Sequence, residues 1–273
     1  MDGDCSYEDF RGCLRSLEQI NRWLLGYRPT FAWLKHFLSC CKPKLGYQVD
    51  ATPGPPTTGL RRWGGTNRER RPCTKQNGHG NSENAVRCMP PGSRERLHIV
   101  DVGCGGGDLL RRIAGWARRR GIAVELTGID MNPYAARAAA EFTPRDVGIA
   151  WITGNALEYR PEKPMDVVVS SLMAHHLEDE EIVALLRWME ASAQAGWFIN
   201  DLERSERSSR IFGWVERLAG WHRFVRHDAA VSFRRAFLKE DWMRLLAAAG
   251  IPREAVTVER WRPGRLCVGR WKG

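Results

Sequence analysis

Asp101, Gly103, Gly105 and Gly107 give the spacing DxGxGxG inside "DVGCGGGD", directly after the apolar run "LHIV". A glycine bend behind a buried strand lets the backbone approach a ligand closely, and the helix that follows offers free amide donors. The acid ahead of the first glycine decides what kind of ligand this is. A carboxylate there repels a pyrophosphate and favours an ammonium or sulfonium charge. The phosphate loop GxxxxGK[ST] is absent, and Asp108 stands where the dinucleotide pattern GxGxxG needs its last glycine. A nucleoside joined to an amino acid satisfies the site, its cation near Asp101 and its carboxylate on the helix amides.

Further residues extend the same chemistry along the chain. Asp130 closes "TGID", followed by Met131, and an acid at that point can accept both hydroxyls of a ribose. Asn155, in "GNA", can hydrogen-bond an adenine amine with Ala156 packed beside it. His175 and His176 follow "DVVVSSLMA" and can take a proton near neutral pH, or instead line the pocket or cap the next helix. His175 is preferred as the base, and His227 is its rival. Asp201 is read as orienting an acceptor or nearby arginines, or as a helix cap. Tyr27 and Arg226 complete the expected acceptor contacts.

These residues need a scaffold that brings loop ends together. From Leu97 the chain alternates apolar strand runs with helical runs: "LHIVDVG", "DLLRRIAGWARRR", "VELTGIDM", "PYAARAAAEF", "IAWITGNA", "DVVVSSLMA" and onward. In "DLLRRIAGWARRR", Leu109, Leu110, Ile113, Ala114 and Ala117 are predicted to face inward. Repeated βα units predict a doubly wound parallel sheet with the site outside its carboxyl ends. The closing "AVTVERW" and "RLCVGRWK", joined by "RPG", predict an antiparallel last strand.

The remainder of the chain reads as appendages. Residues 13–38 are predicted to form two short helices, with Leu14, Leu17, Asn21 and Leu24 on one face and Gly26 between them. Residues 1–40 are thus an expected helical cap. Residues 42–96 hold eleven Lys or Arg against four acids, so most of the chain's +10 charge is local. Rich in Gly, Pro and Arg, 41–96 is expected to be a disordered insertion, and more often solvated than bound to RNA. Residues 204–237, with Phe212, Trp214, Trp221, Phe224 and Phe233, are expected to form a lid over an apolar acceptor, with Arg226, His227 and Asp228 nearest it. Eight scattered cysteines show no zinc spacing. With no apolar run long enough to span a bilayer and no secretory leader, a cytoplasmic location is expected, leaving peripheral membrane contact open.

The ordered set "DVGCGGGD", "GID", "GNA" and "DVVVSSLMAHHL" resembles the motifs of class I S-adenosylmethionine-dependent methyltransferases. The resemblance covers about 97–273 and implies an α/β, Rossmann-like, seven-stranded sheet with an antiparallel last strand. "SSLMAHHLEDEE" resembles the branch that methylates ubiquinone and menaquinone precursors, and "NRWLLGYRPT" and "RHDAAVSFRRAF" resemble bacterial members found beside type III polyketide synthases. It implies S-adenosylmethionine as cofactor, with Asp101, Gly103, Gly105 and Gly107 around the methionine part, Asp130 at the ribose and Asn155 at the adenine. No metal is expected: Asn200 and Asp201 stand where catechol-type enzymes place ligands, but the acid those enzymes need after strand four is missing. The expected activity is O-methylation of a phenolic, quinol or polyketide-derived small molecule, an aromatic or lipid-like acceptor. An RNA methyltransferase and a non-catalytic cofactor-binding module are the alternatives; the confinement of charge to 42–96 argues against a nucleic-acid partner.

Overall fold

Strand β1 (Leu97–Val102) is buried at all six positions, as a strand with parallel neighbours on both sides and helices on both faces must be. Its polar members are matched in the core: the His98 amide donates to Asp166 Oδ2 at 2.9 Å, and His98 Nε2 lies 3.1 Å from Thr127 Oγ1. The computed structural model describes residues 6–45, 96–205 and 235–272.

Around β1 lie β2 (Val124–Asp130), β3 (Ile149–Thr153), β4 (Met165–Ser171), β5 (Ala193–Leu202), β6 (Thr257–Trp261) and β7 (Arg265–Trp271). They form one seven-stranded sheet in the order β3-β2-β1-β4-β5-β7-β6. Strands β1 to β5 are parallel, and β7 runs antiparallel to both β5 and β6. The Rossmann-like class and the antiparallel last strand are therefore as expected. The chain winds outward through β2 and β3, then returns to place β4 on the other side of β1. That reversal opens a crevice at the carboxyl ends of β1 and β4, where open α/β sheets bind ligands.

The period of two along β1 separates two cores. Leu97 and Ile99 face α2 (Arg28–Leu45) and α3 (Asp108–Arg118), where Leu34, Phe37, Leu110 and Ile113 are fully buried. Val100 and Val102 face α5 (Asp179–Ser192) and α6 (Lys239–Ala248), through Leu186, Met189, Trp242 and Leu246. On α3 Trp116 is buried, whereas Ala114, expected inward, is only partly covered. A wide indole fills the flank of the stripe that the alanine cannot reach.

Helix α1 (Tyr7–Trp23) lies across α4 (Pro133–Phe142), packing Phe10 and Leu14 on Ala135 and Ala138. Both N-terminal helices exceed the 13–38 limits expected. Ser6 caps α1 by accepting from the Asp9 amide, and Glu8 and Asp9 complement the helix dipole, so the helix starts six residues early. Likewise α2 runs past the cap boundary drawn at residue 40. The core of the expected insertion, 46–95, and most of the expected lid, including Arg226, His227 and the five lid aromatics, lie outside the described residues.

Candidate functional site

The bend after β1 is built around Asp130. Its Oδ2 accepts from the Gly105 amide at 2.8 Å, and its Oδ1 accepts from the Asn132 amide at 2.9 Å. The end of β2 thereby fixes the bend after β1, and each carboxylate oxygen keeps further acceptor capacity. Asp101 is 2% exposed, and its Oδ1 has no hydrogen-bond partner. Burial, and then the charge of Asp130, holds its carboxyl well above the usual range. Such an acid lowers its own cost by meeting a cation.

Two glycines have separate steric reasons. Gly103 has φ +70°, and a Cβ there would lie 2.3 Å from Met173 Cγ. Gly107 has φ +73°, and a Cβ there would meet the Trp151 ring at 2.2 Å. Gly107 caps α3 and packs against Trp151 of β3; it is not among the residues that line the cavity.

A cavity of about 830 Å³ spans the crevice, within the range of small-molecule sites. Asp101, Gly103, Gly105, Asp130, Met131, Asn155 and Ala156 all line it. Met131 is 72% exposed at the mouth. Asn155 Oδ1 caps the short turn Ala156–Glu158 through the Leu157 amide at 3.0 Å, which leaves its amide group as donor. Leu14, Leu17, Asn21 and Leu24, the face of α1 expected to pack, form the roof. Glu18 ties that roof to α3 through Arg111 at 2.8 Å, and Arg111 Nη1 also donates to the Gly106 carbonyl.

On the far side of the crevice, β4 ends in the turn Ala174–His176. His175 is 4% exposed, lines the cavity, and holds its Nδ1 2.7 Å from Asp201 Oδ1. Asp201 is fully buried at the end of β5 and also accepts from the Leu202 amide at 2.7 Å. Burial pushes its carboxyl up, but His175, the Leu202 amide and the Arg265 charge together outweigh this and hold it below the usual range. An ionised carboxylate only accepts, so Nδ1 carries a ring proton, and the neutral ring has its lone pair on Nε2. Asp201 is not among the residues that line the cavity; its side chain meets His175.

His176 is exposed at the cavity wall, its ring centroid 4.2 Å from that of His175. Tyr27 lines the cavity under the Arg112 guanidinium, its hydroxyl buried without a partner. Asn200, fully buried, donates through Nδ2 to the Gly26 carbonyl at 2.7 Å and to Thr30 Oγ1 at 3.2 Å. It pins the α1–α2 turn, with Tyr27, onto β5. Arg226 and His227 lie outside the described residues.

Arg265 escaped the sequence reading. It lines the cavity at 5% exposure and donates through Nη2 to Asn21 Oδ1 at 2.8 Å. The available signal was topological: an antiparallel last strand begins where the parallel strands end, so its first residue reaches the crevice. Among the described residues no group of three or more His, Cys, Asp or Glu is arranged to hold a metal ion. Among them, too, no helix is long and apolar enough to cross a membrane.

Residues 99–196 match the family model described as a methyltransferase domain. Trans-aconitate 2-methyltransferase of Mycobacterium tuberculosis (strain ATCC 25177 / H37Ra) is 32% identical over 106 residues, 39% of this chain and 37% of that protein. The enzyme of the same name from Streptomyces avermitilis is 29% identical over 163 residues, 55% of this chain and 58% of that protein. The chain thus spans less than two thirds of the curated relatives it matches. Among solved structures, the plantazolicin methyltransferase BpumL in complex with SAH aligns over 65% of this chain and 76% of its own, at 17% identity and a TM-score of 0.49.

Proposed function

We propose, from the premise that residues 99–196 carry a methyltransferase domain, that this protein transfers a methyl group from S-adenosylmethionine to a hydroxyl of a small aromatic or lipid-like molecule. One observation carries this reading: His175, hydrogen-bonded to the buried Asp201, lines the same cavity as Asp101, Gly103 and Asp130. When bound, S-adenosylmethionine supplies an electrophilic methyl group on a sulfonium.

The chain's own residues fit that ligand. Asp101, with its orphaned buried oxygen, offers counter-charge to the methionine end. Asp130 and Asn155 line the same cavity just beyond β2 and β3, and supply a carboxylate for ribose hydroxyls and an amide for an adenine. The roof residues Leu17 and Leu24, with Leu177 and Leu202, give the acceptor an apolar enclosure that excludes water. His175 Nε2 would take the acceptor's hydroxyl proton. Asp201 holds the ring in the required tautomer and stabilises the imidazolium that results. Positioning the two reactants in line contributes much of the remaining acceleration. The curated relatives, named for a small molecule, support an acceptor of that size.

The test is calorimetric titration of the full chain with S-adenosylhomocysteine and, separately, NADH, followed by labelled methyl transfer to a panel of phenols and quinols. S-adenosylhomocysteine is expected to bind and NADH to fail. Tight NADH binding alone would overturn the reading, and transfer to RNA but to no small molecule would replace the acceptor class.

A further inference from the structure

We propose that Arg265 determines acceptor specificity: it receives a carboxylate or similar anionic group of the acceptor in the cavity that His175 lines. The inference rests on the methyltransferase reading above and names a substrate class within it.

Arg265 opens β7 and pairs with Leu202 at the end of β5. Because β7 is antiparallel, this first residue stands at the edge where β1, β4 and β5 release their loops. Across that edge β7 is the third strand from β1, about 14 Å at the usual spacing of neighbouring strands. His175 leaves from β4, between the two. The side chain of Arg265 lines the same cavity as His175, so a ligand held by Arg265 shares that cavity with the base.

The guanidinium keeps unused donor capacity. Its residue is 5% exposed, Nη2 is used on Asn21, and Nη1 has no hydrogen-bond partner. Among the described residues no carboxylate lies within 4.0 Å of it. Asp201 and Asp108 act on it only at longer range, and Asp201 is already matched by His175 and the Leu202 amide. A tie to Asn21 needs one neutral donor, not a buried cation with five N–H groups. Arg265 lines the cavity, and a planar guanidinium suits a carboxylate. Tyr27 adds a buried hydroxyl with no hydrogen-bond partner among the described residues, and the adjacent Gly26 packs so closely that a Cβ there would lie 2.6 Å from Arg265 Nη2.

The experiment uses the full chain, labelled with [15N]arginine and saturated with S-adenosylhomocysteine. Benzoate and its neutral counterpart benzamide are titrated at constant ionic strength, and the guanidinium resonances are followed. Benzoate is expected to shift the Arg265 signal saturably and to bind at least about tenfold more tightly than benzamide. Arg265→Gln is expected to erase that preference, and Arg265→Lys to weaken it, each leaving S-adenosylhomocysteine affinity within about threefold of wild type. Should Arg265→Gln fail to fold, Arg265→Lys alone carries the comparison. The proposal is overturned if benzoate shows no saturable preference over benzamide, or if the preference survives both substitutions. It is also overturned if either variant loses about tenfold or more in S-adenosylhomocysteine affinity, which would assign Arg265 to the cofactor's own carboxylate. Failure of wild type to bind S-adenosylhomocysteine would instead strike the methyltransferase reading itself.

Discussion

His175 Nδ1 and Asp201 Oδ1 stand 2.7 Å apart, both side chains buried, although one follows β4 and the other lies next to the end of β5. Neighbouring parallel strands deliver them to one place: Ser171 pairs with Asn200, so the residues just beyond meet at the same edge. The pair forms because the sheet aligns these two strand ends.

The arrangement makes Asp201→Asn informative. An amide can donate to Nδ1, which moves the ring proton to Nε2 and removes the lone pair that accepts from the acceptor. Turnover is expected to fall by about 10³-fold or more, as tautomer loss does in other histidine–aspartate pairs. S-adenosylhomocysteine affinity should stay within about twofold, since the side chain does not line the cavity. Equal losses in both quantities would show that Asp201 merely holds the fold.

Asp101→Asn separates binding from stability. The acid is buried, partly unpartnered and disfavoured in its charged form. Neutralising it removes a desolvation cost, so the ligand-free protein is expected to melt at a higher temperature. The same change removes the counter-charge for a cationic ligand, and S-adenosylhomocysteine, which carries the ammonium, should bind about tenfold or more weakly. Differential scanning calorimetry and titration calorimetry on one sample read both signs. A variant that melts higher and binds as before would place the cation elsewhere.

How much of this was legible beforehand varies with the range of the interaction. Strand and helix order followed from local periodicity, and the cavity-facing positions of Asp101, Asp130 and Asn155 followed from strand ends alone. The partners of those side chains did not. Asp201 meeting His175, Gly107 yielding to Trp151, and Arg265 entering the crevice all depend on which strands become neighbours in space. Period two and period 3.6 say which face a residue takes, not what stands opposite. Ser6 is a different case: its capping pattern was local and readable, but the apolar stripe of α1 masked the earlier start.

Asn200→Ala tests how the roof is attached. Its amide is the buried donor for the Gly26 carbonyl and for Thr30. Truncation strands that carbonyl and is expected to cost about 1–3 kcal/mol, read as a lower urea midpoint. Amide hydrogen exchange should rise selectively in residues 24–30, ahead of the sheet. Uniform loss of protection across β1 and β4 would mean that the turn is no separate unit.

Asp108→Asn isolates one titration. Asp108 opens α3 at the cavity wall, with Oδ2 buried and unpartnered. Burial first, and then the charge of Glu18, raise its carboxyl to about 6 against the opposing pull of Arg111, Arg112 and the Leu109 amide. In the unfolded chain the same group titrates near pH ~3.9. Between those two values the folded state holds a proton that the unfolded state has lost. Stability from this group is therefore complete below pH ~4, falls as pH rises toward 6, and is level above. Asparagine cannot titrate, so the wild type should lose ground to the variant across that window, by on the order of 2 kcal/mol. Urea unfolding of both proteins at pH 4.5 and pH 7, compared as a difference so that every other acid cancels, measures it. A gap that stays constant with pH would mean that the Arg111 and Arg112 charges neutralise Asp108 in the folded chain.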